Sequence, residues 1–147
     1  MTTYIPNPKI LDFIRREKYA VISSVNQAGQ SESALIAFSE TESYEIIFMT
    51  NEKTRKIQNI LLNPNVSIVV GFDPEVLTSI QMEGVARVLL LESAGEYADI
   101  HYRKQPGSLV QKKTPGECIV VINLLWARYT NYSPKQTEVF EEHFDVD

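Results

Sequence analysis

Phe48-Met49-Thr50-Asn51-Glu52-Lys53-Thr54-Arg55-Lys56, continuing as Ile57-Gln58-Asn59-Ile60-Leu61-Leu62-Asn63-Pro64, decides how this chain is read. Ile46 to Met49 is a short apolar run suited to a buried strand, and Thr50-Asn51 ends it with residues that turn and cap. A strand therefore delivers the chain to a polar loop. The loop places the Thr54 hydroxyl, Arg55 and Lys56 at the start of a helix, where unpaired backbone N–H groups and the positive end of the dipole favour an anion. Cations at a helix start oppose the dipole by roughly 0.3–1 kcal/mol each, so two of them ask for a bound anion such as a phosphate. Arginine offers a bidentate fork and lysine a compact point charge, so the pair is not redundant.

Working outward, Asn7-Pro8 gives a cap and a first helical proline, and Ile10, Leu11, Phe13 and Ile14 recur at helical spacing, predicting a short helix from about Pro8 to Lys18. Tyr19 to Asn26 and Ser31 to Ser39 read as a hairpin turning at Gln27 to Gln30, and Tyr44 to Thr50 as a third strand. A helix from Thr54 to Asn63 follows and stops at Pro64. Val66 to Phe72 is a buried strand, and Leu77 to Leu91 is a long strand that bends or bulges at Gly84. Ala94 to Lys104 reads as a second helix, Pro106 to Glu117 as a loop, and Cys118 to Leu125 with Ala127 to Tyr132 as the last strands. Strand-helix repeats of the parallel kind are lacking. The fold class is mainly β (α+β), an antiparallel barrel of six to seven strands with short flanking helices.

The length of 147 residues and a hydrophobic content of 44% suit one domain spanning 1–147. A net charge of −5 argues against a nucleic-acid partner, since phosphate neutralisation needs a basic face. Five acids and one lysine from Pro134 to Asp147 make an acidic tail at about 134–147 and leave the remaining body nearly neutral. Cys118 is the only cysteine and lies in the apolar run CIVVINLL, which predicts a buried strand thiol. No apolar run reaches the 18 or so residues of a membrane span and the first residues contain no apolar core of signal-peptide length, so the expected location is cytoplasmic, without a membrane partner. His101 and His143 lie far apart and no cluster has metal-ligand spacing, so no metal is expected. Neither a nucleophile elbow nor a Walker loop occurs, which leaves the catalytic residues unknown and any redox chemistry to a cofactor.

The central stretch resembles the flavin-phosphate segment of the pyridoxamine 5′-phosphate oxidase family, the FMN-binding split barrels, whose pattern is Phe-Tyr-Thr-Asn-x-x-Ser-Arg-Lys, a helix and Asn-Pro. Phe48, Thr50, Asn51, Arg55, Lys56, Asn63 and Pro64 match in register, with Met49 for tyrosine and Thr54 for serine. More thinly, the resemblance runs from about Tyr19 to Tyr132. It implies a split β-barrel homodimer holding FMN, with Thr54, Arg55 and Lys56 at the phosphate, and Met49, Thr50 and Asn51 beside the ring or ribityl chain. Ser79-Ile80-Gln81-Met82-Glu83-Gly84 aligns with the family's Gln-Val-Arg-Val-Glu-Gly, so Ser79 holds the place of the flavin-touching glutamine and Gln81 that of the arginine. Trp126 and Arg128 fall where the family contributes a tryptophan and an arginine across the dimer interface.

Two departures bear on the reaction. The family strand Arg-x-Val-Leu-Leu-Lys is replaced by Ala34-Leu35-Ile36-Ala37-Phe38-Ser39, so the arginine that helps hold FMN and the lysine for the substrate phosphate are both absent. Tyr97 falls at the family's substrate tyrosine and Arg103 to Ser108 echoes a substrate loop, but the C-terminal Arg-Leu-His segment has no counterpart. The leading expectation is thus an FMN-dependent oxidoreductase acting on an unknown small substrate or electron donor other than pyridoxamine 5′-phosphate. The alternative is a non-catalytic flavin- or haem-binding stress or sensor protein, with a deazaflavin-dependent reductase as a third reading.

Overall fold

Polar turn residues divide the chain into strands too short to bury themselves singly, and the strands close on one another. A computed structural model describes residues 5–144. Asn7 Oδ1 accepts from the Lys9 amide at 3.0 Å and Pro8 opens helix α1 (Pro8–Arg16), which turns Ile10, Phe13 and Ile14 into the core. Strands β1 (Tyr19–Val25) and β2 (Ser31–Glu40) form the expected hairpin, in register from Tyr19↔Ala37 to Val25↔Ser31. Asn26 Oδ1 accepts from the amides of Ala28 and Gln30, and Gly29 supplies a φ of 82° that side-chain-bearing residues adopt at a cost. Strand β3 (Glu45–Asn51), helix α2 (Arg55–Leu62), and strands β4 (Asn65–Val70) and β5 (Thr78–Leu90) follow. Helices α3 (Glu96–Lys104) and α4 (Ser108–Gln111) precede β6 (Glu117–Asn131) and β7 (Glu138–His143).

All neighbours are antiparallel in the order β3-β2-β1-β4-β5-β6-β7, and β3 also pairs with β6 from Glu45↔Asn123 to Asn51↔Glu117. Six strands therefore close a barrel and β7 lies outside it, which matches the expected mainly β split-barrel class. The expected bend in β5 is a register shift between Glu83 and Gly84. Glycine is required there because an added Cβ would sit 2.5 Å from the Asn123 carbonyl oxygen.

Ile22, Ile36, Phe38, Phe48, Ile68, Met82, Val120 and Ile122 fill the barrel, with Ile57 and Ile60 of α2 packed on them. A second cluster joins the outer faces of β3 and β6, through Ile47, Met49, Ile119 and Val121, to Ala94 and to Ala98 of α3. Burial on both faces explains why β3 and β6 read as continuous apolar runs instead of alternating ones.

Beyond shifts of one or two residues at element ends, three features differ from expectation. The final strands are one continuous β6, whose edge opposite β5 changes partner from β3 to β7 near Trp126. The loop after α3 contains the short α4. Part of the acidic tail is a strand, because Phe140 stacks on Tyr129 at 4.8 Å, Glu138 pairs with Lys9 Nζ at 2.6 Å and Glu142 accepts from the Asn7 amide. No helix among the described residues is long and apolar enough to cross a membrane.

Candidate functional site

The barrel is split where β2 leaves β3. These strands pair only through Phe38↔Phe48, Ser39↔Ile47 and Glu40↔Ile46, so Ser31 to Ala37 is bonded along one edge to β1 and Met49 to Asn51 along one edge to β6. The start of α2 stands in the gap. A cleft of about 350 Å³ results, lined by Ser24, Glu32, Ser33 and Ala34 on one side and Thr54, Arg55, Lys56 and Asn59 on the other.

Asn51 shapes the loop into this cleft. Its Oδ1 accepts from the Lys53 amide, and its Nδ2 donates to the Pro115 carbonyl at 3.0 Å and to Glu117 Oε2 at 2.8 Å. Thr54 is the N-cap of α2, yet its hydroxyl donates back to the Asn51 carbonyl at 2.9 Å and makes no capping bond to the first turn, which also lacks an acid. The leading amides of α2 thus have neither a side-chain cap nor a neighbouring carboxylate to offset the dipole. The Arg55 side chain is 82% exposed, with NH1 3.4 Å from Glu32 Oε2.

Glu32 is the residue that the sequence reading missed. Its Oε1 accepts from Asn59 Nδ2 at 2.8 Å and its Oε2 from Asn26 Nδ2 at 3.3 Å, and Asn59 Nδ2 also reaches Ser24 Oγ at 3.0 Å. The Asn59 hydrogen bond above all holds the Glu32 carboxyl below the ordinary carboxylate range against the opposing cost of desolvation, with Asn26 and Arg55 adding to it. A signal existed in the strand pattern: Glu32 is in phase with the inward positions Ala34, Ile36 and Phe38, where an acid needs a partner.

The other expected site residues divide. Thr50 Oγ1 lies 3.4 Å from Thr54 Oγ1, at the edge of the cleft. The Met49 side chain packs with Ile47, Ile119 and Val121 on the face toward α3, and strand alternation keeps it out of the cleft lining. Ser79, Gln81, Trp126 and Arg128 lie on β5 and β6, paired as Ser79↔Thr130, Gln81↔Arg128 and Glu83↔Trp126. Gln81 and Trp126 border a separate recess of about 200 Å³ on the outer sheet face with Val21, Ser23 and Ser67, while Arg128 pairs with Glu141 at 3.0 Å. Within one chain this group does not meet Arg55. The two regions adjoin through Ser23 of the recess and Ser33 of the cleft, whose hydroxyls are 2.8 Å apart, beside the exposed Tyr19 and Leu35.

At the far end of β2 the picture is different. Ser39, at the family's substrate-lysine position, is 1% exposed with Oγ 2.9 Å from Nδ1 of His101, itself 1% exposed. Burial, with like charge from Lys104, pushes the His101 imidazole down to about 4. Tyr97 donates to Glu45 Oε2 at 2.7 Å and accepts from Arg87 at 2.9 Å, beside a cavity of about 580 Å³ that shares no lining residue with the Arg55 cleft. Cys118 is buried, donates to the Thr50 carbonyl and has its thiol pushed up to about 11, mainly by burial, which makes it a poor nucleophile. Among the described residues no group of three or more His, Cys, Asp or Glu is placed to hold a metal.

The fold recurs widely among solved structures. A haem-binding protein from Mycobacterium smegmatis superposes with a TM-score of 0.76 at 11% identity over 95% of this chain, which spans 60% of that protein's length. A pyridoxamine 5′-phosphate oxidase-related, FMN-binding protein from Nostoc punctiforme PCC 73102 gives 0.68 at 12% identity, covering 99% of this chain and 100% of that one. General Stress Protein 26 from Bacillus anthracis str. Sterne gives 0.69 at 22% identity, covering 92% and 97%. At these identities the likeness is one of fold. No curated protein matches the sequence. The family model for pyridoxamine 5′-phosphate oxidase matches residues 6–131, so the chain belongs to the pyridoxamine 5′-phosphate oxidase family.

Proposed function

We propose that this protein binds FMN in the split between β2 and α2 and acts, as a homodimer, as a flavin-dependent oxidoreductase on a small substrate. The observation that carries the reading is the start of α2: a first turn with no internal cap, flanked by Arg55 and Lys56, opening into a cleft beside an unpaired strand edge. Those groups fit a phosphate. Thr54, Arg55 and Lys56 would hold it, and a bound flavin supplies hydride chemistry that these side chains cannot. Gln81 and Trp126 of a second copy suit the ring, since they sit on an outer face contiguous with the cleft and within one chain lie apart from it.

Haem is the second reading, since proteins of this fold include a haem-binding one. The cleft lining contains no His, Cys, Met or Tyr to ligate iron, which supports flavin over haem. Oxidation of pyridoxamine 5′-phosphate is not expected, because the position of the family's substrate lysine holds the buried Ser39. The test is the absorbance of purified protein and chromatographic identification of what heat releases. FMN supports the proposal, whereas a haem spectrum or failure of the apo-protein to take up added FMN contradicts it.

A further inference from the structure

We propose that Glu32 is a specificity-determining residue of the cleft, a fixed internal anion that competes with the ligand's phosphate for Arg55 and narrows the preference for FMN over uncharged riboflavin. This rests on the flavin reading above. Glu32 enters the cleft from β2 at an inward position and is anchored, not free: Asn59 holds one oxygen at 2.8 Å and Asn26 the other at 3.3 Å. Asn59 lies one helical turn after Arg55, so both project from the same face of α2 and converge on one carboxylate. The anchoring keeps the charge where it is when a ligand arrives. Arg55, 82% exposed and tethered only at 3.4 Å, is the partner able to exchange.

The charge count explains the effect. Arg55 and Lys56 bring two positive charges and Glu32 one negative, so the cleft meets a phosphate dianion with a net of one positive charge. Riboflavin, which lacks the phosphate, neither needs Arg55 nor feels Glu32 strongly. The family position that carries an additional cation holds Ala34 here, next but one to Glu32, so nothing on β2 offsets the carboxylate.

The experiment is equilibrium titration of the full-length apo-protein with FMN and with riboflavin, comparing the unmodified chain, Glu32→Gln and Arg55→Ala at two salt concentrations. Gln keeps an oxygen for Asn59 while removing the charge. Glu32→Gln is expected to tighten FMN by roughly three- to tenfold, to leave riboflavin within about twofold, and to lose most of that gain at high salt, where exposed charges are screened. Arg55→Ala should weaken FMN alone. Glu32→Ala, which removes the charge by another route, should raise the FMN-to-riboflavin ratio in the same direction and guards against a misfolded Gln variant. An unchanged or lower ratio in both Glu32 variants, while the unmodified protein binds FMN and Arg55→Ala weakens it, overturns this inference and leaves the flavin reading standing. If neither flavin binds to the unmodified chain or to the Glu32 variants, both fall. FMN binding gained only on removal of the carboxylate contradicts the flavin reading of the unmodified chain, and this inference falls with it.

Discussion

The two ends of β2 have opposite fates. At Glu32 to Ala34 the strand has left β3, the barrel is open, and the exposed Arg55 and half-buried Lys56 stand across the gap. Seven residues on, Ser39 is paired with Ile47 and sealed beneath α3 by His101, while Lys104 from the same helix pairs with Glu40 at 2.6 Å and lies over the Phe38 ring. In the proposed reading, one end keeps groups that suit a phosphorylated cofactor. The other has exchanged a position for a substrate cation for a dry hydroxyl-imidazole contact. Under the proposed function, the cofactor-binding groups and the neighbouring closed region can vary separately, because different helices govern them: α2 at one end, α3 at the other.

The most disruptive way to break this contrast is Ser39→Lys, which restores the family's lysine by residue type. A buried ammonium beside His101 has no carboxylate partner in the contacts that Ser39 makes, so a loss of about 3–5 kcal/mol in stability is expected from urea unfolding. Unchanged stability would mean that this end is open after all.

Next in size is the response to acid. His101 titrates near 6.5 when unfolded and near 4 when folded, so between these values the unfolded chain binds the extra proton. The stability is complete above about pH 6.5 and falls as pH drops toward 4, by up to about 3 kcal/mol. In His101→Gln the urea midpoint should vary less across that window than in the unmodified protein. Equal slopes would place the acid sensitivity elsewhere.

A smaller effect concerns the recess beside the open end. Sedimentation at micromolar concentration should give about twice the chain mass of 16.7 kDa, and Trp126→Ala, on the outer face, should shift this equilibrium toward monomer by about 1–2 kcal/mol. A monomer that binds FMN tightly would contradict a site shared between copies.

How much of this was legible depended on which forces are local. The helix start at Thr54-Arg55-Lys56, the bulge at Gly84 and the buried Cys118 follow from a polar turn after an apolar strand, a glycine within a strand and an apolar run, all visible within a few residues. The face that Met49 takes is not legible in the sequence, because a strand buried on both faces loses the alternation that tells inward from outward. Glu32 went unseen because its partners Asn59 and Asn26 lie 27 and 6 residues away and only the barrel brings them together. The strand inside the acidic tail was hidden by charge, its pairing decided by Lys9, Asn7 and Tyr129 from distant segments.

The central claim, that the open end of β2 keeps a phosphate-binding cofactor site, is tested most directly by titrating apo-protein with FMN in Arg55→Ala and Lys56→Ala. Each variant removes one charge-assisted contact worth about 1.5–3 kcal/mol, so the dissociation constant should rise by roughly ten- to 150-fold in each. Urea stability without FMN should barely change, since Arg55 is exposed and its one ion pair weak. Unchanged FMN affinity in both variants would contradict the account and make the pair an ordinary solvated helix turn.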